Sequence, residues 1–327
     1  MKKNKQFSRD ILDLKNIELV VDKICSKLQA DVYHVLRRKG GVVGISGGID
    51  SSVTLALAVR AFGAENLLGI MLPEKDSSPE SRILAQKLAE KFGVKTIVED
   101  ISPALQGFQC YSRRDDAVKR VIPDYNPEND KMKIGIPVEI IEKNLPPVFH
   151  VTVVYANGSH LSKRLPINEY LQIVAASNFK QRCRMSMLYY HAEVLHFAVL
   201  GTPNKHEVEQ GFFVKYGDGG ADVMPIGGLY KTQVYQLARY LGIPEEIICR
   251  TPTTDTYSAE QTQEEFFYQL PFEDMDLLWY GWENGFHAQE VARILNFTED
   301  MVNKNFKNFE RKQKTSEYLR MAPIRDL

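Results

Sequence analysis

The segment Gly44-Ile-Ser-Gly-Gly-Ile-Asp-Ser-Ser52 follows directly on the apolar run Val42 to Ile45 and leads into a helical pattern from Val53 to Phe62. Gly47 and Gly48 leave backbone N–H groups bare for an anion, and Ser51 and Ser52 open a helix whose dipole favours negative charge at its start. The chemistry implied is phosphate binding. Asp50 is the odd member of the loop, because a carboxylate beside bound phosphate repels it unless a cation lies between; magnesium is implied. The pattern is neither the Walker loop, which ends in Lys-Ser or Lys-Thr, nor the Gly-x-Gly-x-x-Gly fingerprint. A bare Gly-Ser turn is the plain alternative, and strand, loop, Asp and helix in register weigh against it.

A second polar cluster lies far downstream. Gly201-Thr202 ends a short apolar strand, a helix from Lys205 carries Glu207, and Lys215-Tyr-Gly-Asp-Gly-Gly-Ala-Asp222 is too polar and glycine-rich to be core. Asp218 and Asp222 are its carboxylates. Asn178 and Arg182 stand i, i+4 on one helix face, with Arg184 close by. Lys231 sits in the first turn of a helix and Thr253 in a polar stretch, Thr251–Gln263. Taken singly, each of these residues is more often a solvated or capping side chain; His191 and His196 read as core or boundary residues.

The elements that must position these groups follow from periodicity. A helical stripe runs over 9–38, then strand Gly41–Ser46, helix Ser52–Phe62 closed by Gly63, strand Leu67–Leu72, helix Ser81–Phe92 closed by Gly93 and strand Val94–Asp100. That βαβαβ order predicts an α/β fold, a doubly wound parallel sheet with flanking helices, and open sheets of this kind bind ligands at the carboxyl ends of their strands. Residues 103–166 break the rhythm with seven prolines, and a β-rich run, Val148–Tyr155, before Ala156-Asn-Gly-Ser159 predicts an inserted hairpin with a type I′ turn. The insertion reads as a peripheral ornament or as a lid or dimer flap, with the first favoured slightly. Helix Asn168–Leu195, strand His196–Leu200, helix Lys205–Phe213, helix Tyr230–Leu241 and amphipathic helices over 272–320 complete one domain, 1–327, with a helical C-terminal part, 272–327.

Bulk properties exclude several classes. With 41 basic and 42 acidic residues the chain has a formal net charge of −1, so no global field draws it to nucleic acid or to an anionic membrane. Its four cysteines, Cys25, Cys110, Cys183 and Cys249, show neither a C-x-x-C pair nor zinc spacing, as expected of reduced thiols. The basic N-terminus lacks an apolar h-region and no run reaches membrane-span length, so a cytoplasmic protein is expected.

The loop at Ser46–Ser52 resembles the Ser-Gly-Gly-x-Asp-Ser loop of the N-type ATP pyrophosphatases. Together with Asn178-Phe-Lys-Gln-Arg-Cys-Arg184, Gly201-Thr202 with Glu207 and Lys215–Asp222, and Pro225-Ile226 with Leu229-Tyr-Lys231, the chain resembles NAD⁺ synthetase of the ammonia-dependent bacterial kind. The resemblance covers about residues 10–102 and 168–320. It implies an ATP-dependent ligase that adenylylates the nicotinate carboxylate of deamido-NAD, releases pyrophosphate and lets ammonia displace AMP. It implies that Ser46, Gly47, Gly48, Ser51, Ser52, Arg184, Thr202, Lys231 and Thr253 bind ATP, and that Asp50 and Glu207 hold Mg²⁺. By the same resemblance Asn178, Arg182, Asp218 and Asp222 bind the dinucleotide, with Asp50, Asp218 and Lys231 as catalytic groups, and the subunits pair as a homodimer. With Asp50 on an exposed loop, its replacement is expected to stop turnover while leaving stability nearly unchanged. Two alternatives stay open: a ligase adenylylating another carboxylate or a tRNA base, and a non-catalytic nucleotide-binding relative. The forty residues before the first strand are too few for a glutaminase domain, so free ammonia is the expected nitrogen source, with a separate glutaminase partner not excluded.

Overall fold

The computed structural model describes residues 6–136, 148–253, 257–259, 262 and 270–325. Four strands, β1 (Gly41–Gly44), β2 (Leu67–Met71), β3 (Lys95–Val98) and β7 (Ala198–Leu200), form a parallel sheet in the order β3-β2-β1-β7. β2 is buried along its whole length, as an inner strand covered on both faces must be. Helices α1 (Ile17–Gln29), α2 (Ile49–Phe62), α3 (Pro79–Phe92) and α8 (Lys231–Tyr240) cover one face through Val53, Leu57, Leu88 and Val234. The long helix α6 (Ile167–Leu195) covers the other through Leu188 and Ala192. The fold is thus the doubly wound α/β sheet that the sequence predicts. Because β1 pairs with β2 on one side and with β7 on the other, the chain reverses direction across the sheet at β1/β7, and a crevice opens above their carboxyl ends.

The N-terminal stripe does not form one helix. Asn16 caps α1 by accepting from the Leu19 N–H, and after Gln29 the chain passes into a π-helical turn, Ala30–Val35. The predicted helix at Ser52 begins three residues earlier, at Ile49, with Gly48 as its cap, so Asp50 and Ser51 stand in the first helical turn.

The insertion carries a small sheet of its own, packed on α6. It holds α4 (Ser102–Gly107), α5 (Cys110–Val121) and a three-stranded antiparallel sheet of β4 (Lys131–Gly135), β5 (His150–Val154) and β6 (His160–Arg164) in sequential order. The alternation of buried Val151 and Val153 with half-buried neighbours turns one face onto Met132, Ile134, Val118 and, from α6, Ile173. The expected hairpin is β5–β6; β4 was not foreseen. Its turn is also of another type. Among the four turn residues only Gly158 has a left-handed backbone, φ 83°, whereas a type I′ turn needs two, and the Gly158 N–H donates to Tyr155 O. The polar stretch expected at Thr251–Gln263 lies partly outside the described residues.

Four helices complete the chain: α7 (Lys205–Gln210), α10 (Phe272–Glu283), α11 (Ala288–Leu295) and α12 (Glu299–Arg320), with a short turn α9 (Glu245–Ile248) between α8 and α10. Phe7, Trp279, Leu278 and Phe309 form an aromatic-rich second core among the last three helices, which ties the start of the described chain to its end. Tyr230, at the cap of α8, belongs to that core and links it to the sheet domain.

Candidate active site

The phosphate loop is built by the turn from β1 into α2. Gly47 has φ +73°, and a side chain there would drive its Cβ to 2.5 Å from Ser81 O on α3, so only glycine lets the loop lie against that helix. Ser51 Oγ and Ser52 Oγ both donate to Gly48 O, at 2.9 and 2.8 Å, and the Gly48 N–H donates to Ser46 Oγ at 3.3 Å. The loop is therefore set by its own hydroxyls, above the N-terminal dipole of α2.

A cleft of about 690 Å³ opens above this loop, within the range of small-molecule sites. Ten of the fifteen expected site residues line it: Ser46, Gly48, Asp50, Ser51, Asn178, Arg184, Thr202, Glu207, Asp218 and Thr253. They come from five separate stretches of chain, brought together by the sheet reversal. The other five do not line it. Gly47 packs on α3, and Ser52 is fully buried under the loop. Arg182 Nε donates to Lys215 O at 3.2 Å, which ties the Gly-Asp-Gly-Gly loop to α6. Asp222 accepts from the Val199 N–H at 2.8 Å and from Tyr189 Oη at 3.1 Å, a brace at the end of β7. Lys231 lies one shell below, fully buried, its Nζ 2.5 Å from Asp50 Oδ2.

The Lys231 contact changes the reading of Asp50. Its carboxylate is 16% exposed and is the counter-charge of a buried ammonium, with Asn204 Nδ2 donating to Oδ1 at 3.2 Å. It belongs to the structural frame as well as to the cleft. Glu207 closes the same group: its Oε2 accepts the Asn204 N–H at 2.9 Å in a capping box at the start of α7. Burial, with Asp50 beside it, pushes the Glu207 carboxyl up to about 8, against the pull of Lys231. Burial disfavours the Lys231 ammonium, but Asp50 and Glu207 outweigh it and hold its pKa above the ordinary lysine value. Asp218 is raised to about 6, by burial first, although the Val214 N–H donates to it at 2.7 Å and Arg184 favours its charged form.

Three supporting residues escaped the sequence reading. Asn204 was legible, because Asn-x-x-Glu before a helix is a capping-box signature. Asp276 and His206 were not. Asp276, on α10, accepts from the N–H groups of Lys231 and Thr232 at 3.3 and 2.7 Å and so fixes the start of α8; His206 Nε2 meets it at 2.5 Å in full burial. Forty-five residues separate Asp276 from Lys231, and no local pattern announces such a pair. His191 and His196 keep to boundaries: His191 Nε2 faces Glu99 at 3.0 Å, and His196 is the left-handed cap of α6.

A parallel sheet with a phosphate loop at its reversal point, two facing carboxylates and a buried lysine defines a nucleotide-binding α/β protein. A family model for NAD synthase matches residues 20–146 and 149–323. The chain is 49% identical over 318 residues to the NH(3)-dependent NAD(+) synthetase of Rhizobium meliloti, covering 97% of this chain and 94% of that one. Among solved structures it is similar to the NMN synthetase of Francisella tularensis, with a TM-score of 0.64 at 21% identity over 95% of this chain and 98% of that one. It is also similar to the NH3-dependent NAD synthetase of Campylobacter jejuni, with a TM-score of 0.61 at 20% identity over 95% and 99%. The chain belongs to the NAD synthase family.

Proposed function

We propose that this protein is an ammonia-dependent NAD⁺ synthetase, which amidates deamido-NAD at the expense of ATP cleaved to AMP and pyrophosphate. One observation carries the reading: the Asp50–Lys231–Glu207 group stands directly beside the phosphate loop, in a chain 49% identical to an NH(3)-dependent NAD(+) synthetase.

In the first half-reaction a nicotinate carboxylate oxygen attacks the α-phosphorus of ATP, and the bond to the β-phosphate oxygen breaks. The Ser46 and Ser51 hydroxyls and the N-terminus of α2 bind the departing pyrophosphate, and Lys231 supplies positive charge from below. The donor set of Asp50 and Glu207 suits Mg²⁺. Burial first and the neighbouring Asp50 charge second lift Glu207, and among the described residues no cluster of three or more His, Cys, Asp or Glu could cage a metal alone. Two carboxylates that share a cation with phosphate oxygens are the usual magnesium arrangement, and the bound ion would neutralise charge developing on the pyrophosphate. In the second half-reaction ammonia attacks the acyl carbon and AMP leaves with the bonding electrons. Asp218, ionised above about pH 6, takes the proton from ammonium and delivers the neutral nucleophile. Asn178 and Arg184 hold the substrates on the α6 side of the cleft, with Thr202 and Thr253 beside ATP; Arg182 and Asp222 act by positioning the loops.

We place the enzyme in the cytoplasm as a homodimer. No helix among the described residues is long and apolar enough to cross a membrane. Leu171, Tyr190 and Val194 leave exposed apolar area along α6 for a second copy. Light scattering at micromolar concentration tests the dimer, and a fully active monomer would refute it. The activity is tested by ATP–pyrophosphate exchange with deamido-NAD and, separately, with tRNA. Exchange that depends on deamido-NAD supports the reading; exchange driven by tRNA alone, or none with either, overturns it.

A further inference from the structure

The loop between β2 and α3 lines the cleft with Leu72, Pro73, Ser77 and Ser78, next to the phosphate loop. Its two acidic side chains do not face solvent. Glu74 and Asp76 are buried at 0% and 5% side-chain exposure among cations and a phenol drawn from two other elements. From α6, Lys180 Nζ reaches Glu74 Oε1 at 2.8 Å and Asp76 Oδ2 at 2.7 Å, and Arg184 Nε donates to Leu72 O at 3.2 Å. From α5, Arg114 bridges Asp76 Oδ2 at 2.5 Å and Asp115 Oδ1 at 2.9 Å, while Tyr111 Oη donates to Glu74 Oε2 at 2.8 Å.

Half of this cluster belongs to the insertion. Burying five formal charges, three carboxylates and two cations, is costly unless each is paired and hydrogen-bonded, and here each has a partner. Asp76 shows the balance: burial alone would lift its pKa, but Lys180 and Arg114 hold it below the ordinary carboxylate value. A surface loop of seven residues needs no such anchoring merely to connect a strand to a helix. The anchoring does serve to fix a cleft wall, because paired buried charges define a single geometry where apolar packing tolerates several. The insertion also supplies cleft lining directly, through Ile134 and Phe149.

We infer that the insertion is a brace for the nucleotide site: α5, through Arg114 and Tyr111, holds the loop Leu72–Ser78 in the conformation that receives ATP. Arg114 and Tyr111 are positioning residues that touch no substrate. ATP is the ligand affected because the braced loop adjoins the phosphate loop, Ser81 and Leu84 of the following helix packing against Gly47. This inference rests on the reading of the cleft as an ATP site.

The test is direct ATP binding to the full-length protein, by calorimetry, with hydrogen exchange of the 72–78 amides measured alongside. Tyr111→Phe removes one hydroxyl and no volume of consequence. Losing one hydrogen bond to a charged acceptor should raise the Kd for ATP about tenfold. Exchange of the loop should quicken without ATP and return towards wild type at saturation, with kcat at saturating ATP within about twofold. Arg114→Gln should weaken ATP binding further and Arg114→Lys should restore part of it. Unchanged ATP affinity in Tyr111→Phe with a melting temperature equal to wild type would overturn the brace, as would a raised KM for the dinucleotide with none for ATP. Wild-type protein that binds ATP yet makes no NAD⁺ would refute the proposed reaction while leaving the brace to be judged on Kd alone.

Discussion

Replacing Asp50 by Asn should cost both activity and stability, and the second loss is what the structure adds. The side chain is the counter-charge of Lys231, which is 0% exposed with its ammonium 2.5 Å away. Removing one partner of a buried ion pair costs about 3–5 kcal/mol, because the other charge stays buried. Two features place Asp50 below that range. Its carboxylate is 16% exposed, and Glu207 lies close enough to Lys231 to compensate part of its charge when Asp50 is gone. A loss of about 2–3 kcal/mol follows. With an unfolding entropy of about 2.1 cal/mol/K per residue over 327 residues, the melting temperature should drop about 3–4 °C in the absence of nucleotide and divalent cation. Turnover, followed as pyrophosphate release, should fall by about two to three orders of magnitude, as for loss of one transition-state electrostatic contact. A mutant that melts within a degree of wild type would show that Asp50 and Lys231 are not paired as described. One that turns over normally would remove Asp50 from the reaction.

Asp218→Asn should leave pyrophosphate release without ammonia nearly intact and slow NAD⁺ formation; equal loss of both steps would assign Asp218 to ATP or to folding. Plotted against total ammonium, wild-type amidation should rise as pH passes about 6 and the carboxylate forms, and the mutant should lack that limb. Because the folded-state pKa of Asp218 lies above its unfolded value, the wild type loses stability as pH climbs from about 4 to about 6. Thermal melts should therefore find Asp218→Asn the more stable protein above pH 6, by at most about 3 kcal/mol and less for a half-buried group, with the gap closing near pH 4. Glu207→Gln should raise the magnesium concentration for half-maximal pyrophosphate release by about tenfold; an unchanged magnesium curve would take Glu207 out of the metal site. Trp279→Ala, in the aromatic core behind Tyr230 and α8, should cost about 3–5 kcal/mol in urea unfolding, and a loss under 1 kcal/mol would mean that core does not carry stability.

Local signals carried the frame of this site well. The strand, glycine loop and helix at 41–62 could be read because strand hydrophobicity, a phosphate loop and helix periodicity follow one another within about twenty residues; the place of β7 beside β1 came only with the structure. Asn204 and Glu207 announce their capping box. What stayed hidden depends on contacts between distant segments. Taken alone Lys231 reads as an exposed lysine in a first helical turn, and only the resemblance marked it as a counter-charge; its buried partner, Asp50, lies 181 residues away. Asp222 and Arg182 are polar residues in a promising loop and helix, but their hydrogen bonds go to backbone groups of β7 and of Lys215 that no spacing rule reveals. The insertion showed its hairpin through alternation and a turn glycine; β4 stayed hidden because a run such as Lys131–Gly135 alternates too briefly to stand out.

The central claim is tested most directly by product stoichiometry. Purified protein supplied with ATP, deamido-NAD, ammonium and Mg²⁺ should form NAD⁺, AMP and pyrophosphate in equal amounts, with no NAD⁺ when any one of ATP, deamido-NAD or ammonium is withheld. Formation of ADP and orthophosphate, or of AMP without NAD⁺ under the complete conditions, would contradict it.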